Sequence, residues 1–477
     1  MNQSFTFGLL LTFCFLSLSL SAQKAKQRLI KTLDKNYPVY ADLATQIWSY
    51  AELGYQEEKS SALLRQTLQD AGFSIKTNVA AMPTAFVATY GSGQPVIGIL
   101  AEFDALPGLS QDTTSSRKPI HEGGAGHACG HHLFGSASVA AAITIKEWLD
   151  RSGQSGTLRL YGTPAEEGGA GKVYMVREGL FEDVDAVLHW HPSSANDASP
   201  GASLANKSAK FRFYGQASHA AAAPERGRSA LDGVEAMNYM VNLMREHVSQ
   251  ETRIHYIITK GGDAPNIVPE FAEVYYYVRN PQVEHVMELF ERIVKAAEGA
   301  ARGTETRMDY EVIHGLYNLV PNEVLAKLMY ENLKEVGGVH YTASDIAFAK
   351  EISSTLGKGQ RPLSVAQEIQ PFQAREGGGS TDVGDISWVV PTTGMAAATW
   401  VPGTSAHSWQ AVATGGMAIG TKGMLVAAKS IALTAYDLFT KAEIVEKAKK
   451  ELLDRVGVDF VYEALLGDRK PPLDYRR

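Results

Sequence analysis

Apolar positions between residues 29 and 204 switch repeatedly between a helical spacing and short unbroken runs. The stretches with helical spacing are residues 43–51, 60–71 and 133–149, and the apolar runs are 86–90, 96–100, 158–162 and 186–190. This alternation is typical of an α/β domain with a mostly parallel sheet and helices on both faces. Such domains bind ligands beyond the carboxyl ends of their strands, so polar residues that follow the strands are the first candidates for a site.

A different order of elements begins near residue 206. Strand-like and helix-like stretches follow one another as β-α-β-β-α-β, at residues 210–214, 229–247, 255–259, 273–278, 283–300 and 307–313. This series resembles the ferredoxin-like split unit. We therefore predict a second domain, residues 206–314, inserted between the two parts of the first, residues 23–205 and 315–477.

The N-terminal segment differs from the rest of the chain. Residues 8–20 are apolar, small residues follow at Ser21 and Ala22, and a charged stretch comes next. The apolar stretch has the length of the hydrophobic region of a secretory signal and is too short to cross a bilayer comfortably, although no Lys or Arg precedes it. We predict a signal peptide over residues 1–22 and export to the periplasm; an uncleaved anchor or a misassigned start is the alternative.

Composition limits the functional classes. The chain has 477 residues and a formal net charge of −7, and it shows no basic run of the kind that binds nucleic acid. Its length favours two domains over a single core. The chain contains two cysteines, Cys14 and Cys129. Removal of the signal peptide would leave Cys129 alone, so no disulfide could form within the chain and the thiol is free to bind metal or is simply buried.

Residues 126–132 read Gly-His-Ala-Cys-Gly-His-His and place four side chains that can bind metal within seven positions. A thiolate two residues from an imidazole, here Cys129 with His131, can hold one divalent ion or bridge two. We therefore expect a metal centre at this segment.

Two adjacent carboxylates, Glu166 and Glu167, follow the predicted strand at residues 158–162 and precede two glycines. Neighbouring side chains on an extended turn point in different directions, so one can bind metal while the other faces the site. A metal lowers the pKa of a bound water, and a free carboxylate beside it can take the proton and return it to a leaving amine. We assign Glu166 as the general base and Glu167 as a ligand; taken alone, such a pair is more often a solvated turn.

Two further histidines complete the predicted set. His189 and His191 lie on one side of the strand that begins at residue 186, and His191 is nearer the carboxyl end. We expect His191 to bind metal and His189 to pack in the core or to support a ligand. His407 lies in a loop of small residues far along the chain. Asp104 ends another predicted strand and is expected to orient an imidazole or the thiolate from behind.

Five predicted donors are more than a closed structural zinc site uses. The donors are Cys129, His131, Glu167, His191 and His407, and their mixture of sulfur, nitrogen and oxygen differs from the Cys and His sets of structural sites. Two divalent ions about 3.5 to 4 Å apart, sharing a bridging ligand, would use all five. A structural zinc site remains the alternative. Thiolate and imidazole favour Zn²⁺, whereas pairs of sites that contain carboxylates also take Mn²⁺, so both metals stay open.

Taken together, the motifs resemble those of the dinuclear metallopeptidase and amidohydrolase family that includes carboxypeptidase G, aminoacylase and the plant auxin-conjugate hydrolases. The motifs that carry the resemblance are, in order, Gly-His-Ala-Cys-Gly-His at 126–131, Glu-Glu-Gly-Gly-Ala-Gly-Lys at 166–172, Trp-His-Pro at 190–192, Ser-Thr-Asp-Val-Gly-Asp at 380–385 and His-Ser-Trp-Gln at 407–410. They span nearly the whole chain after the leader. The Cys-Gly-His form, and Glu-Phe-Asp at 102–104 in place of His-x-Asp, favour the amidohydrolase branch over a general carboxypeptidase.

The resemblance adds expectations that the residues alone do not give. It implies that Cys129 bridges two metals and that the inserted domain is a lid or dimerisation domain. It further implies that His219 reaches the active site of a partner subunit and stabilises the oxyanion, and that Asn266 and Arg279 bind substrate, where an arginine fork suits a carboxylate. One position departs from the family: most members carry an acidic or amide residue where this chain has His132, which is therefore an alternative ligand.

We therefore predict a metal-dependent amidohydrolase that cleaves the amide between an acyl or aroyl group and an amino acid, such as p-aminobenzoyl-glutamate or a related conjugate. A dipeptidase or aminoacylase of the same family is the alternative within this class of enzyme, and a non-catalytic partner subunit is the alternative outside it. A homodimer is expected, and the resemblance also allows a hetero-oligomer with a related subunit.

Overall fold

The computed structural model describes residues 3–375 and 377–476, with side chains from Ser21 onward. Its helices are α1 Gln3–Tyr50, α2 Glu58–Asp70, α3 His131–Ser152, α4 Gly171–Arg177, α5 Ala230–Met244, α6 Val283–Gly303, α7 Glu323–Val336, α8 Ala343–Ser354, α9 Val383–Ser387, α10 Trp409–Gly415, α11 Ala418–Thr440 and α12 Ala442–Val456. Its strands are β1 Ser74–Thr77, β2 Phe86–Ser92, β3 Val96–Ala101, β4 Gly156–Gly162, β5 Ala186–Ser193, β6 Ala205–Tyr214, β7 Arg253–Lys260, β8 Phe271–Asn280, β9 Arg307–Leu316 and β10 Thr392–Ala398.

The larger sheet has six strands in the order β1-β2-β4-β3-β5-β10. Strands β4, β3, β5 and β10 pair in parallel, whereas β1 and β2 add an antiparallel edge. Every residue of β3 is buried, as expected for an apolar strand in the middle of a sheet. Helices α1, α3 and α11 pack on one another, and α3 and α11 also contact the central strands. The main hydrophobic core lies between these helices and the sheet.

The start of helix α3 is held against the end of strand β3. A Cβ at Gly135 would lie 2.8 Å from the carbonyl oxygen of Glu102, so this glycine lets the helix approach the strand backbone. On the neighbouring strand β5, the indole N–H of Trp190 donates to the carbonyl oxygen of Phe134 at 3.2 Å, and the two rings pack with centroids 5.7 Å apart. These contacts place the N-terminus of α3 beside the carboxyl ends of two parallel strands, where the sequence predicts the site.

The smaller sheet has the order β7-β8-β6-β9, and all of its pairs are antiparallel. Helices α5 and α6 cover one face. Strand β8 alternates strictly: Ala272, Val274 and Tyr276 enter a second hydrophobic core, while the residues between them are partly exposed. The order of elements and strands is that of the ferredoxin-like unit. The predicted fold class, a mostly parallel α/β sheet with this unit inserted, is confirmed, and the exact domain boundaries stay a prediction.

Strand β10, which forms one edge of the larger sheet, is not among the strands predicted from the sequence. Its sequence, Thr-Thr-Gly-Met-Ala-Ala-Ala, contains few residues that favour strands. It becomes a strand because it pairs in parallel with β5 along its whole length. A tertiary contact therefore overrides the local preference of this segment.

The predicted signal peptide, residues 1–22, lies mostly outside the described side chains, and Met1 and Asn2 lie outside the described residues altogether. Export therefore stays a prediction. Within residues 3–375 and 377–476, no single helix has the length and hydropathy of a membrane span, although the pair α10 and α11, bent by 74° at their junction, reaches those values when taken together.

A buried carboxyl group should make the stability of this fold depend on pH. Asp385 accepts hydrogen bonds from the Tyr462 hydroxyl at 2.7 Å and from the Tyr317 backbone N–H at 3.2 Å, and burial raises its pKa to about 8. In the unfolded chain an Asp ionises near pH ~4. Between these values the folded chain holds a proton that the unfolded chain has lost. The free energy of unfolding should therefore fall as the pH rises through this window, by at most about 1.4 kcal/mol per pH unit.

Asp385→Asn should flatten this slope, because an amide stays neutral and can keep both contacts if the Tyr462 hydroxyl becomes the acceptor. Urea unfolding followed between about pH 5 and 8 measures the slope. Asp454→Asn, a change of the same type at an exposed position of α12, is the matched control. An unchanged slope in Asp385→Asn would contradict the raised pKa.

Candidate metal centre

Six side chains converge at the carboxyl edge of the larger sheet. They come from the start of α3, the turn after β4, the end of β5 and the loop after β10, and they are Cys129, His131, Glu166, Glu167, His191 and His407. Their donor atoms form three overlapping groups whose members lie within 4.8 Å of one another: Cys129 with His131 and His191, Cys129 with Glu167 and His407, and His131 with Glu166 and Glu167. The thiol is thus shared by two groups that have no other member in common.

The segment around Cys129 is held close to two other connections. Gly130 has a φ of 80°, and a Cβ there would lie 2.7 Å from the Cβ of Pro192, so glycine allows the segment to approach the end of β5. This approach brings the Sγ of Cys129 to 3.3 Å from the Nε2 of His191. The backbone N–H of His407 donates at 3.0 Å to the carbonyl oxygen of the residue before Cys129. Two distant parts of the chain are therefore fixed relative to the thiol.

The carboxylate of Asp104 ties two of the connections together. Its Oδ1 lies 2.8 Å from the Nδ1 of His131, and its Oδ2 accepts the backbone N–H of Glu167 at 2.9 Å. A ring nitrogen that donates to a carboxylate leaves the other nitrogen, Nε2, free to bind a metal. His191 is oriented in a similar way, because its Nδ1 lies 2.8 Å from the carbonyl oxygen of the next residue and its Nε2 faces the thiol.

Buried groups hold the turn that carries Glu166 and Glu167. The preceding residue, Ala165, has a φ of 56°, and its N–H donates to the Oε1 of Glu57 at 2.8 Å. Glu57 is fully buried, and burial raises its pKa to about 8. The Tyr55 hydroxyl donates at 2.7 Å to the carbonyl oxygen of the second glycine after the pair. The backbone of the turn is therefore fixed on both sides of the two carboxylates.

A buried ammonium group lies beside the centre. The Nζ of Lys172 is 2.7 Å from both the Oε1 of Glu102 and the Oδ1 of Asp382, and all three side chains are fully buried. The other carboxylate oxygen of Glu102 lies 3.1 Å from the Nε2 of His131. Burial opposes the charge on Lys172, but the neighbouring carboxylates outweigh it and raise the pKa of this lysine. A chain of ionic contacts therefore runs from α9 through α4 to an imidazole of the centre.

The donor side chains affect the protonation of one another. Burial raises the pKa of the Cys129 thiol well above its ordinary value and, together with His131, lowers the pKa of His191. Burial alone would lower the pKa of His131, but Cys129 and the nearby carboxylates raise it. The contact with Glu167 raises the pKa of His407. Metal binding to such a set must displace protons, so it should be strongly pH-dependent.

Glu166 and Glu167 differ in their surroundings. The Oε1 of Glu167 lies 3.0 Å from the Nε2 of His407, and although burial opposes it, His407 and His131 lower the pKa of Glu167. Burial and the carboxylates of Glu102 and Glu167 instead raise the pKa of Glu166. Adjacent carboxyl groups with opposite pKa shifts are typical of sites in which one group carries a proton and the other stays ionised.

The residues present fit a pair of divalent ions. Among the described residues, the Nε2 of His131 and the Oε1 of Glu167 are buried and make no hydrogen bond of good geometry, although Glu102 and His407 lie 3.1 and 3.0 Å away. Buried lone pairs of this kind are unfavourable unless a donor or a cation satisfies them. Thiolate, imidazole and carboxylate together are donors that zinc and related divalent ions accept. The position of Cys129 in two of the groups suits a bridging ligand.

His132, the alternative ligand, and His189, the predicted core or supporting histidine, lie outside the donor groups. His132 is buried, with its Nε2 3.1 Å from the carbonyl oxygen of Gly415, and its ring packs 4.9 Å from that of His127. His189 lies over Gly394 in the paired strand, and burial lowers its pKa to about 4. The structure therefore gives His132 a packing role and leaves His189 as a neutral neighbour of the centre.

The three residues expected from the family resemblance lie in the inserted unit. His219 is exposed, Asn266 lies in an exposed turn, and Arg279 sits on β8 with its guanidinium 5.4 Å from the centre of the Tyr277 ring. Among the described residues, no hydrogen bond or ion pair joins any of them to the donor groups. A single chain therefore does not bring these residues into contact with the centre.

Sequence reasoning misses several residues that support the centre. Glu102 could have been found, because strand alternation places it on the same side as Asp104. Glu57, Lys172 and Asp382 give no such signal, since their partners are distant in sequence and a lone Lys or Asp is normally solvated.

Residues 98–362, more than half of the chain, match the family described as Peptidase family M20/M25/M40. The chain belongs to this family. Membership agrees with the chemistry of the donor groups, and the prediction of a metal-dependent amidohydrolase or peptidase is confirmed.

Individual relatives agree with this family membership. The chain is 40% identical over 439 residues to the B subunit of p-aminobenzoyl-glutamate hydrolase from Escherichia coli (strain K12), covering 86% of this chain and 91% of that protein. It is 30% identical over 442 residues to the Xaa-Arg dipeptidase of Mus musculus, covering 89% and 91% respectively. A crystal structure of a dinuclear metal-binding peptidase of the M20 family from Bacillus subtilis shares the fold, with a TM-score of 0.58 at 17% identity over 85% of this chain and 99% of that one.

Asp104→Asn should weaken metal binding by about 10- to 100-fold, because an amide cannot accept from both the His131 ring and the Glu167 backbone while keeping the ring nitrogen oriented. Calorimetric titration of chelator-treated protein with Zn²⁺ or Mn²⁺ measures the effect. Asp183→Asn, which removes a surface carboxylate paired with Arg159, is the matched control and should bind metal normally. Equal affinities in Asp104→Asn and the control would show that the Asp104 contacts are dispensable.

Proposed function

We propose that this protein is a metal-dependent amidohydrolase that cleaves the amide bond between an acyl or aroyl group and an amino acid, with p-aminobenzoyl-glutamate or a related conjugate as substrate. The observation that carries the proposal is the thiol of Cys129, shared by two facing groups of donors, with Glu166 beside them. A closed structural zinc site uses four ligands and leaves no position for substrate, so it accounts for this arrangement less well.

Two divalent ions would occupy the centre. His131 and His191 would bind one ion, Glu167 and His407 would bind the other, and Cys129 would lie between them. Both Zn²⁺ and Mn²⁺ suit this mixture of donors. When bound, the ions would polarise the substrate carbonyl group and lower the pKa of the attacking water.

Glu166 would carry the proton. It is absent from both donor groups that contain Cys129, and it shares the third group with His131 and Glu167, so its carboxylate lies beside the proposed ligands of both ions. It would accept the proton of the attacking water and deliver it to the nitrogen of the departing amino acid. A proton carrier works best when its pKa lies closer to neutrality than that of an ordinary Glu, and the surroundings of Glu166 shift its pKa in this direction.

His219 would donate to the oxyanion of a second chain's reaction. Its Nδ1 accepts the backbone N–H groups of Ala221 and Ala222 at 3.2 and 3.1 Å. The neutral ring must then carry its proton on Nε2, so an N–H donor points away from the backbone. A donor placed at the developing negative charge contributes roughly 3 kcal/mol of transition-state stabilisation.

Arg279 would hold the carboxylate of the departing amino acid. Its Nε is buried and has no hydrogen-bond partner among the described residues, while its guanidinium lies beside the Tyr277 ring. Asn266 would add a contact to substrate. Its backbone carbonyl oxygen accepts the backbone N–H of Ala220, and this bond keeps Asn266 close to His219. A guanidinium suits a substrate that ends in a carboxylate.

The relatives support this substrate class and suggest one competitor. The relative at 40% identity is named for p-aminobenzoyl-glutamate, and the one at 30% identity is named as an Xaa-Arg dipeptidase. We favour an acyl-glutamate conjugate because the first identity is higher over a similar length. An Xaa-Arg dipeptide is the second candidate substrate. Its departing residue, arginine, has a positively charged side chain, whereas that of glutamate is negatively charged.

A homodimer would bring His219 to the second active site. Large apolar side chains are exposed on α5 and on β7, with Tyr239 67% and Ile257 62% exposed. Strand β7 is an edge of the smaller sheet. An exposed edge strand with apolar neighbours is typical of a surface that pairs with another chain. A related but different chain could use the same edge, since the Escherichia coli relative is named as one of the subunits of its hydrolase.

The metal-loaded protein should hydrolyse p-aminobenzoyl-glutamate faster than acetyl-amino acids or dipeptides, including Xaa-Arg dipeptides. Glu166→Ala should lower kcat by about 10²- to 10⁴-fold, because it removes the proton carrier, and should leave the two bound ions in place. Substrate hydrolysis and metal content are measured on the same samples.

Glu182→Ala, at an exposed position of the same domain, is the control and should keep full turnover. Near-normal turnover in Glu166→Ala with both ions bound would refute the assigned role. Preferred cleavage of Xaa-Arg would select the dipeptidase instead.

His219 should act in trans. His219→Ala and Glu166→Ala chains, each nearly inactive alone, should recover about a quarter of wild-type turnover when mixed and reassembled, because about half of the dimers are mixed and each mixed dimer has one complete site. A different affinity tag on each variant, with purification over both resins in turn, establishes that mixed dimers form. Dimers that form without any recovery of turnover would exclude the role in trans.

A further inference from the structure

The C-terminal segment, residues 457–476, is a part of the chain that the proposed chemistry does not use. It leaves α12 and returns to the larger sheet. Leu465 and Leu466 bury their side chains, and Arg177 on α4 donates to two of the segment's carbonyl oxygens at 2.9 and 2.8 Å. The segment is therefore anchored well before it reaches its last residues.

Those last residues end at the turn that carries the metal-binding carboxylate. The Tyr475 hydroxyl donates to the backbone carbonyl oxygen of Glu167 at 3.0 Å, and the Arg476 guanidinium donates to the same oxygen at 2.8 Å. The Tyr475 ring meets the Tyr55 ring edge-on, with centroids 5.7 Å apart. A Cβ at Gly54 would lie 2.3 Å from the Tyr475 hydroxyl oxygen, so the glycine leaves the space in which this hydroxyl sits.

With these contacts, both peptide groups of Glu167 are held. Its N–H donates to Asp104, and its carbonyl oxygen accepts from Tyr475 and Arg476. Fixing the peptide planes on either side of a Cα also fixes the direction of its Cβ. The direction in which the Glu167 carboxylate leaves the backbone is therefore set partly by residues more than three hundred positions away.

We propose that Tyr475 and Arg476 are positioning residues for the carboxylate of Glu167, and that the C-terminal segment thereby completes one of the two ion sites. The inference rests on the dinuclear centre of the proposed function. Neither residue is assigned a contact with ion or substrate. Because they act through the Glu167 backbone, their effect should fall on the ion held with His407 and spare the ion held by the other group.

A purely structural role for the segment predicts a different result. The same segment is bound by another Tyr and Arg pair on α4: the Tyr174 hydroxyl donates to a carbonyl oxygen of the segment at 3.3 Å, and Arg177 donates to two more. Loss of this second pair would loosen the segment without releasing the Glu167 carbonyl oxygen. Variants of the Tyr174 and Arg177 pair therefore test attachment of the segment, whereas variants of the Tyr475 and Arg476 pair test positioning of the Glu167 carboxylate.

The experiment compares Tyr475→Phe/Arg476→Ala with Tyr174→Phe/Arg177→Ala as full-length, chelator-treated proteins titrated with Co²⁺. Calorimetry gives the affinity of each ion, and visible absorption reports its coordination. The first variant should bind one ion about 10- to 100-fold more weakly, with an altered spectrum for that ion and an unchanged affinity for the other. The second variant should match wild type. Arg476→Lys should retain most of the affinity, because an ammonium can also donate to the carbonyl oxygen.

Wild-type affinity for both ions in Tyr475→Phe/Arg476→Ala, or an equal loss in the α4 variant, would overturn the positioning role and leave the proposed function intact. The proposed function fails in a different way, if the wild-type chain binds no pair of ions or hydrolyses none of the amides tested.

Discussion

One carboxylate, that of Asp104, imposes the constraint on which the centre depends. Its two oxygens hold the ring of His131 and the backbone N–H of Glu167, and these residues belong to connections that follow different parts of the sheet. Neither connection alone fixes the direction of its donor atom. Asp104 is 1% exposed, so water does not compete for its oxygens, and both hydrogen bonds are strengthened by the low local polarity. The His131 ring and the Glu167 backbone are therefore held by the two oxygens of a single carboxylate group.

The second constraint is a surplus of buried negative charge. Five carboxyl groups, Glu102, Asp104, Glu166, Glu167 and Asp382, lie in or beside the centre, and one ammonium group, that of Lys172, lies there with them. Such a surplus is unfavourable in a buried environment unless protons or cations neutralise it. Without a metal, protons take this role, and burial raises the pKa of Asp382 to about 6. Divalent ions would replace those protons. The repulsion among the buried carboxylates therefore both destabilises the metal-free centre and favours the binding of cations.

Part of the centre can be predicted from the sequence because parallel strands end at the same edge of a sheet. This rule alone brings Asp104, Glu167 and His191 together. The rule does not predict contacts between residues that are far apart in sequence. Lys172 contacts Asp382 across 210 positions, and Tyr475 contacts Glu167 across 308. The Ala-rich strand β10 is equally hidden, since its strand conformation depends on a partner. The residues assigned to substrate come from family resemblance alone, because nothing in their own spacing distinguishes them from surface polar groups.

A sulfur shared by two ions, as in the proposed centre, would have a consequence for how the protein responds to oxidants. Cys129 is a free, buried cysteine, and in the proposed centre it donates to both ions. Conversion of its thiolate to a sulfenic acid would disturb both sites at once, whereas loss of an imidazole would open only one. A centre bridged by a carboxylate has no such sensitivity to peroxide. If Cys129 bridges two ions as proposed, the choice of bridging atom would couple hydrolysis to redox conditions, reversibly while the sulfur stays at the sulfenic stage and permanently beyond it.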